Sequence, residues 1–394
     1  FGQSQRGRDF GSWGPRFNRK VGRLSDDDAF NLLKERVGDT EVGRDPTHLS
    51  LQRQWFTQIA YYLGLNKHSY GERLDGDYHD AQFESPSYAA NHIGRILRGE
   101  MSRLSKARPD MDVVPRTSDA ADQFGAKVAR LHADFYYDKF EIEAQRLALT
   151  MWLGTTGNAF PYVNWEKKLG RKQRAYKDPF GDRMMSEAET PEPLRETLEK
   201  AGLVEDYNEG DFDVDMVTPF QITVPLGPTE LGNMPWLVVT RLRTYDWLWE
   251  MYPEKAAQMR YPNSETDVIS PYWRRLASLT GPETTLLLGK GSSFLEGIEV
   301  HEMWIPAYGR FTKGARIVGT MDQLLENEPH PFHANGIDRK YPIEHCRYID
   351  VPGRFWGKSL VEDLIGPQED YNVGRQQLIN QRDVLSKPQW LAPR

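Results

Sequence analysis

The segment 348–394, YIDVPGRFWGKSLVEDLIGPQEDYNVGRQQLINQRDVLSKPQWLAPR, limits the possible folds more than any other part of the chain. A short aromatic turn, Arg354-Phe355-Trp356-Gly357, leads into a polar stretch with one thin apolar seam. Leu364, Tyr371, Leu378 and Leu385 recur every seven residues, while Gln376, Gln377, Asn380 and Gln381 occupy other faces. A helix sunk in a globular core carries a wider apolar arc; a seam this narrow suits a helix packed against copies of itself. At 1.5 Å per residue a helix over 359–386 runs about 42 Å. Gly366-Pro367 falls inside it, and a proline without a backbone donor predicts a kink or a second helix start there.

With 394 residues, 39% hydrophobic and 27% charged, the chain has room for two or three domains and a sizeable core. Its apolar runs are short (236–239, 286–288), well below the roughly 18 residues of a spanning helix, so no membrane partner is expected. Cys346 is the only cysteine, which excludes an intrachain disulfide framework and a multi-cysteine zinc site and fits a reducing compartment. A net charge of −7 argues against sequence-specific DNA binding, which needs a basic face. It does not exclude a surface that DNA slides past.

Along the chain, 1–24 is a Gly/Arg/Ser-rich basic arm expected to be flexible. Ser25 followed by Asp26-Asp27-Asp28 predicts an N-cap and a helix to Val37. Further helices are expected over 47–63 and 87–106, a brief strand at 112–115, and one long helix over 118–152. A turn and strand follow at 154–165, an exposed hairpin or loop at 166–183, a short helix at 191–201, strands at 213–217 and 235–242, and a helix at 245–259 interrupted by Pro253. Strands at 299–305, 310–320 and 344–350, with turns at 308–309 and 335–336, make 298–350 a β-rich insert. The fold class is α+β.

The chemical motifs are weak. Gly353 to Ser359 has the glycine, lysine and serine of a phosphate-binding loop, but three residues separate its glycines where four are needed, and Phe355 and Trp356 crowd the nest. Asp211, Asp213 and Asp215 alternate, so a strand sets them on one face. That row suits either a magnesium-dependent nucleic-acid-processing enzyme or an edge strand charged against aggregation. His330, His333, His345 and Cys346 match no zinc spacing. No nucleophile elbow or H-E-x-x-H helix is present. No catalytic residue, cofactor or metal is therefore expected.

Three blocks, in order, resemble the portal proteins (head-to-tail connectors) of tailed bacteriophages, closest to those of short-tailed phages. They are RILRGEMSRLSKARP at 95–109 with Val113-Val114-Pro115; MWLGTTGNAFPYVNW at 151–165 with Val217-Thr218-Pro219-Phe220 and WLVVTRLRTYDWLWEM at 236–251; and Phe355-Trp356-Gly357-Lys358-Ser359 with Gln368, Tyr371, Asn372 and Lys387-Pro388. The resemblance covers roughly 85–394. It implies a portal fold: an α/β wing over 25–244, a stem helix and junction over 245–297, a small β-rich clip over 298–350, and over 351–394 a returning stem helix and the start of a tunnel region. Portals of this group continue further, so a C-terminal remainder is expected beyond the sequence shown.

The resemblance also implies a function without catalysis. Such proteins form a dodecameric ring at one capsid vertex, in the virion and, during assembly, in the host cytoplasm. Double-stranded DNA passes through without sequence specificity during packaging and ejection. The implied partners are the large terminase subunit, a head-completion or tail adaptor, the major capsid protein and the scaffold. Lys358, Arg375, Gln376 and Arg382 are the channel candidates, with salt bridges through Glu362, Glu369 or Asp383 as the alternative use of the cations. Arg310, Lys313, Arg316, Glu326 and Glu328 are the clip docking candidates. The competing reading is the metal-dependent enzyme of the packaging apparatus using Asp211, Asp213 and Asp215.

Overall fold

A computed structural model of the chain describes residues 24–37, 47–64, 90–106, 112–177, 184–186, 190–259, 297–308, 311–334 and 340–386, and it is an α+β protein. The helices are α1 (Asp26–Val37), α2 (Thr47–Leu63), α3 (His92–Lys106), α4 (Ala120–Lys139), α5 (Ile142–Thr156), α6 (Glu192–Lys200), α7 (Tyr245–Met251), α8 (Pro253–Ala256), α9 (Pro331–Ala334) and α10 (Leu360–Ser386). The strands are β1 (Asn158–Glu166), β2 (Lys172–Lys177), β3 (Met184–Ser186), β4 (Val204–Asn208), β5 (Asp211–Val217), β6 (Ile222–Thr223), β7 (Leu237–Thr244), β8 (Gly297–Ile305), β9 (Ala315–Gly319), β10 (Leu324–Glu328) and β11 (Cys346–Arg347). The chain divides into a small unit, 161–215, and a larger one holding the rest.

The larger unit is built on an antiparallel sheet of order β10-β9-β8-β7-β6. Successive strand residues face opposite sides. Ile317 therefore joins Met303, Ile305 and Trp236 beneath Leu32 and Leu33 of α1. Val318 joins Ile298, Val300 and Leu325 beneath Leu248 and Met251 of α7. α1 starts as its sequence predicts: Ser25 Oγ accepts from the Asp28 amide at 3.2 Å, and three aspartates occupy the first turn, where the helix dipole favours them. Asn327 fixes the entry by donating to the Leu24 carbonyl at 3.1 Å and to Asp26 at 2.8 Å.

A second core gathers α2, α3, α5 and the start of α10 around Tyr61, Ile93, Leu97, Met101 and Val361. The fit is close, because a Cβ on Gly154 would lie 2.6 Å from Leu97 Cδ1. The small unit is a sheet of order β3-β2-β4 with α6 against β2, burying Tyr176 and Leu198. The chain leaves the larger unit along β1 and returns along β5.

Several expectations are corrected. The single helix over 118–152 is two helices, α4 and α5, separated at Glu141, which takes the left-handed conformation (φ 47°, ψ 46°). Residues 112–115 pair with no strand. The strands of 298–350 form no separate sheet: β8 pairs with β7 over eight residues, β11 pairs with β1, and the expected boundaries at 244 and 298 are crossed by one continuous sheet. β10 was not anticipated. Residues 245–259 are interrupted at Pro253 as expected, forming the short helices α7 and α8 broken at Tyr252. α10, by contrast, runs unbroken through Pro367. The arm 1–23, the turn at 335–336 and the rest of the junction lie outside the described residues. No helix among the described residues is long and apolar enough to cross a membrane.

Candidate functional site

The launch point of α10 is held by a cluster of buried hydrogen bonds. Gly157 (φ 79°) ends α5 in the left-handed conformation that glycine adopts without strain, and Asn158 opens β1. Asn158 is fully buried, and its side chain meets four partners. Nδ2 donates to the carbonyls of Thr156 and Gly357 at 3.1 Å each. Oδ1 faces the Gly357 amide at 2.7 Å and His345 Nε2 at 3.0 Å. Lys358 exchanges backbone hydrogen bonds with Ile349 at 2.9 and 3.2 Å. Ser359 donates to the Gly154 carbonyl at 2.8 Å and accepts from the Val361 amide at 3.0 Å, capping α10.

This bonding explains why 353–359 is no phosphate nest. The amides of Gly357 and Lys358 are already engaged, and Lys358 Nζ is held by Asp363, which raises its pKa. Aromatic rings fill the interior of the turn: Trp356 meets Trp55 at 5.0 Å, and His345 stacks on Phe160 at 4.6 Å. Burial, with Arg347 nearby, pushes His345 down to about 3, so it is neutral at pH 7. Beside the turn lies a cavity of about 570 Å³ lined by Trp55, Gln58, Thr156, Trp356, Lys358 and Glu362 among others. Gln58 is 1% exposed and its Oε1 has no hydrogen-bond partner among the described residues.

About two turns further along, α10 is tied to the helices beneath it. Gln368 accepts from the His92 amide at 3.0 Å and donates to the Ala90 carbonyl at 2.6 Å; Asn372 accepts from the Ala90 amide at 3.1 Å. Gln368 thus satisfies an orphan donor at the start of α3, whose own cap, Asn91, serves Gly94 at 2.7 Å. Tyr61 donates to Glu369, and burial and that carboxylate both raise the phenol's pKa. Tyr371 meets His92 edge-on at 4.7 Å.

Beyond Tyr371 the helix loses its support. Exposure along the heptad seam climbs from 42% at Tyr371 to 57% at Leu378 and 84% at Leu385, and Val373 and Val384 are also exposed. Of the channel candidates, Lys358 sits at the anchored base. Gln376 donates to Asn380 at 3.0 Å, Arg382 lies 3.8 Å from Asp383, and Arg375 directly precedes Gln376 on the exposed half. Glu369 serves Tyr61.

The described clip candidates sit in different environments. Arg316 is enclosed and paired with Glu302 at 2.7 Å and Glu326 at 3.4 Å, over the ring of Trp304; Tyr252 also donates to Glu326. β9 and its neighbours place that guanidinium inside the sheet's packing, where a docking partner does not reach it. Lys313 is exposed, Glu328 pairs in register opposite Arg316, and Arg310 lies outside the described residues. Asp211, Asp213 and Asp215 lie on β5, half-buried, and among the described residues no three His, Cys, Asp or Glu gather to hold a metal. His330 and His333 adjoin at 4.8 Å, but His330 is buried against the Lys340 carbonyl and pushed down to about 4 by burial.

Asn158, Gln58 and Tyr61 carried no functional signal in the sequence. A Gly-Asn pair at a helix-to-strand turn is the feature that points to Asn158. The i, i+4 pair Gln368 and Asn372 stood out only as part of the resemblance. No protein-family model and no curated protein sequence matches this chain.

Proposed function

We propose that this chain is a portal-type subunit, a non-enzymatic member of a ring that conducts double-stranded DNA at a capsid vertex and docks the packaging motor and then a tail adaptor. The observation that carries this reading is α10. It is 27 residues long, rooted by buried polar bonds at one end, with a seam of apolar side chains left bare at the other. A bare seven-residue seam is completed by the same seam on a neighbour. Within 358–387, five acids and four bases nearly cancel, which allows transient phosphate contact without strong adhesion.

In this reading α10 is the stem that lines the channel, with Arg375, Gln376 and Arg382 on its far half. The order of the three motif blocks supports the assignment.

Native mass measurement of the purified chain, with negative-stain images of the same sample, tests the proposal. A closed ring of about twelve copies with a central hole is expected. A monomer at every concentration, or metal-dependent DNA cleavage lost in Asp213→Ala, would overturn it.

A further inference from the structure

α4 spans 20 residues and buries none of them. Phe124, Leu131 and Phe135 are 70%, 67% and 60% exposed. At 100° per residue these three lie within about 40° of one another, a single apolar stripe. The main packing partner of α4 is α5, and at their junction an open groove of about 580 Å³ is lined by Tyr137, Asp138, Glu141, Glu143, Ala144 and Leu147.

The charges around this face are unevenly engaged. Two of its cations have company within the chain: Arg130 pairs with Asp112 at 2.8 Å, and Lys139 lies over the rings of Phe135, Tyr136 and Phe140, while Lys127 is exposed beside the stripe. Asp134, Asp138 and Glu141 have no cation paired to them among the described residues. The face is apolar along its centre and acidic at its edge and at its C-terminal end.

The sequence contains one segment of the complementary kind. Residues 1–23 carry six bases, Arg6, Arg8, Arg16, Arg19, Lys20 and Arg23, against the single acid Asp9. The same segment carries Phe1, Phe10, Trp13 and Phe17. Fully extended it reaches at most about 80 Å, while α4 is about 30 Å long. It joins the body at Leu24, which is packed among α1 and the large sheet, elements that are not the main contact of α4.

We propose that residues 1–23 of one copy lie along the α4 face of the neighbouring copy, aromatic side chains on the Phe124–Leu131–Phe135 stripe and arginines against Asp134, Asp138 and Glu141. The inference rests on the ring reading for the presence of a neighbour. It gives the arm a function as a clasp between subunits. Arginine suits the position, since it pairs with carboxylates and stacks on rings such as Phe135.

The test uses full-length chains in a Cys346→Ala background, one carrying Trp13→Cys and the other Phe135→Cys, with tags of different length, assembled together and mildly oxidised. The expected product is the mixed pair, formed about tenfold faster than either like pair. Asp134→Lys with Asp138→Lys should slow it about tenfold, and Arg16→Glu with Arg19→Glu on the arm should restore it. Imaged rings without the mixed pair would overturn the clasp and leave the portal reading standing. Absence of both rings and mixed pairs would overturn the two together. A chain carrying both cysteines that closes only on itself would show that the arm serves its own α4 and overturn the exchange.

Discussion

The two halves of α10 are one helix with opposite energetics. Its first half buries Val361 and Gln368 and is bonded to three other segments, at Gly154–Asn158, Ala90–His92 and Tyr61. Its second half, from Val373 onward, has exposed apolar side chains and bonds mainly within itself. Fixing one half and leaving the other bare orients a long rod whose contacts are made elsewhere. The polar anchors hold the direction of the rod; the bare seam supplies the surface for a partner. An isolated helix of the second half's length is marginal in water, so it depends on the first half for nucleation until a partner covers it.

The largest expected effect strikes the base. A Cβ at Gly157 would stand 2.5 Å from the Lys358 carbonyl carbon and 2.6 Å from the Ser359 nitrogen, backbone atoms with no side chain to give way, at a φ of 79°. Gly157→Ala should cost about 3 kcal/mol or more in urea unfolding. A loss under about 1 kcal/mol would mean that the base of α10 is not the rigid point the comparison requires.

The next effect compares glutamines in the two halves. Gln368→Ala strands the His92 amide and the Ala90 carbonyl, and a loss of about 2 kcal/mol is expected. Gln377→Ala, on the exposed half, should stay within about 0.5 kcal/mol of wild type. Equal losses at the two positions would erase the distinction.

Acid should loosen the same base. His345 is held neutral by burial, its pKa lowered from 6.5 to about 3, while in the unfolded chain it takes up a proton below its ordinary value. Its contribution to stability is therefore complete above pH 6.5 and is lost progressively as pH falls toward 3, at up to about 1.4 kcal/mol per pH unit. His330, pushed down to about 4, adds to the slope over a shorter window. Unfolding midpoints at pH 7 and 5 should differ clearly in wild type and by less in His345→Phe, which has no such proton to take up.

The length and polarity of α10 were legible in the sequence because a heptad seam is a one-dimensional pattern, and so were the helices α1 and α2. The α4–α5 break was not, since the apolar stripe from Phe124 continues in phase to Ile142, across the break, and the break rests on Glu141, a residue with no turn signature. The continuity of α10 through Pro367 also ran against local expectation; tertiary bonds at Gln368 and Asn372 hold the segment helical past the missing donor. The division at 244 and 298 misled for a different reason. Strand pairing between β7 and β8 is long-range, and local pattern carries no information on which distant strand completes a sheet. Charged residues usually lie at the surface, yet Arg316 and Glu326 together with Glu302 satisfy one another inside the sheet.

The smallest effect on folding should be the largest on assembly. Leu378 and Leu385 make no buried contact in the single chain, so Leu378→Ser with Leu385→Asp removes little that the monomer uses, and its unfolding free energy should stay within about 0.5 kcal/mol of wild type. In a ring the same seam is covered by the neighbouring helix, and a carboxylate there is forced out of water opposite an apolar surface. The double variant should therefore run as a monomer at concentrations where wild type forms rings. Arg375→Ala, on the same half but off the seam, should leave the ring intact and act as the control for helix damage. A double variant that still assembles would show that the bare half of α10 faces solvent in the assembly too, and would move the subunit contact to another face of the chain.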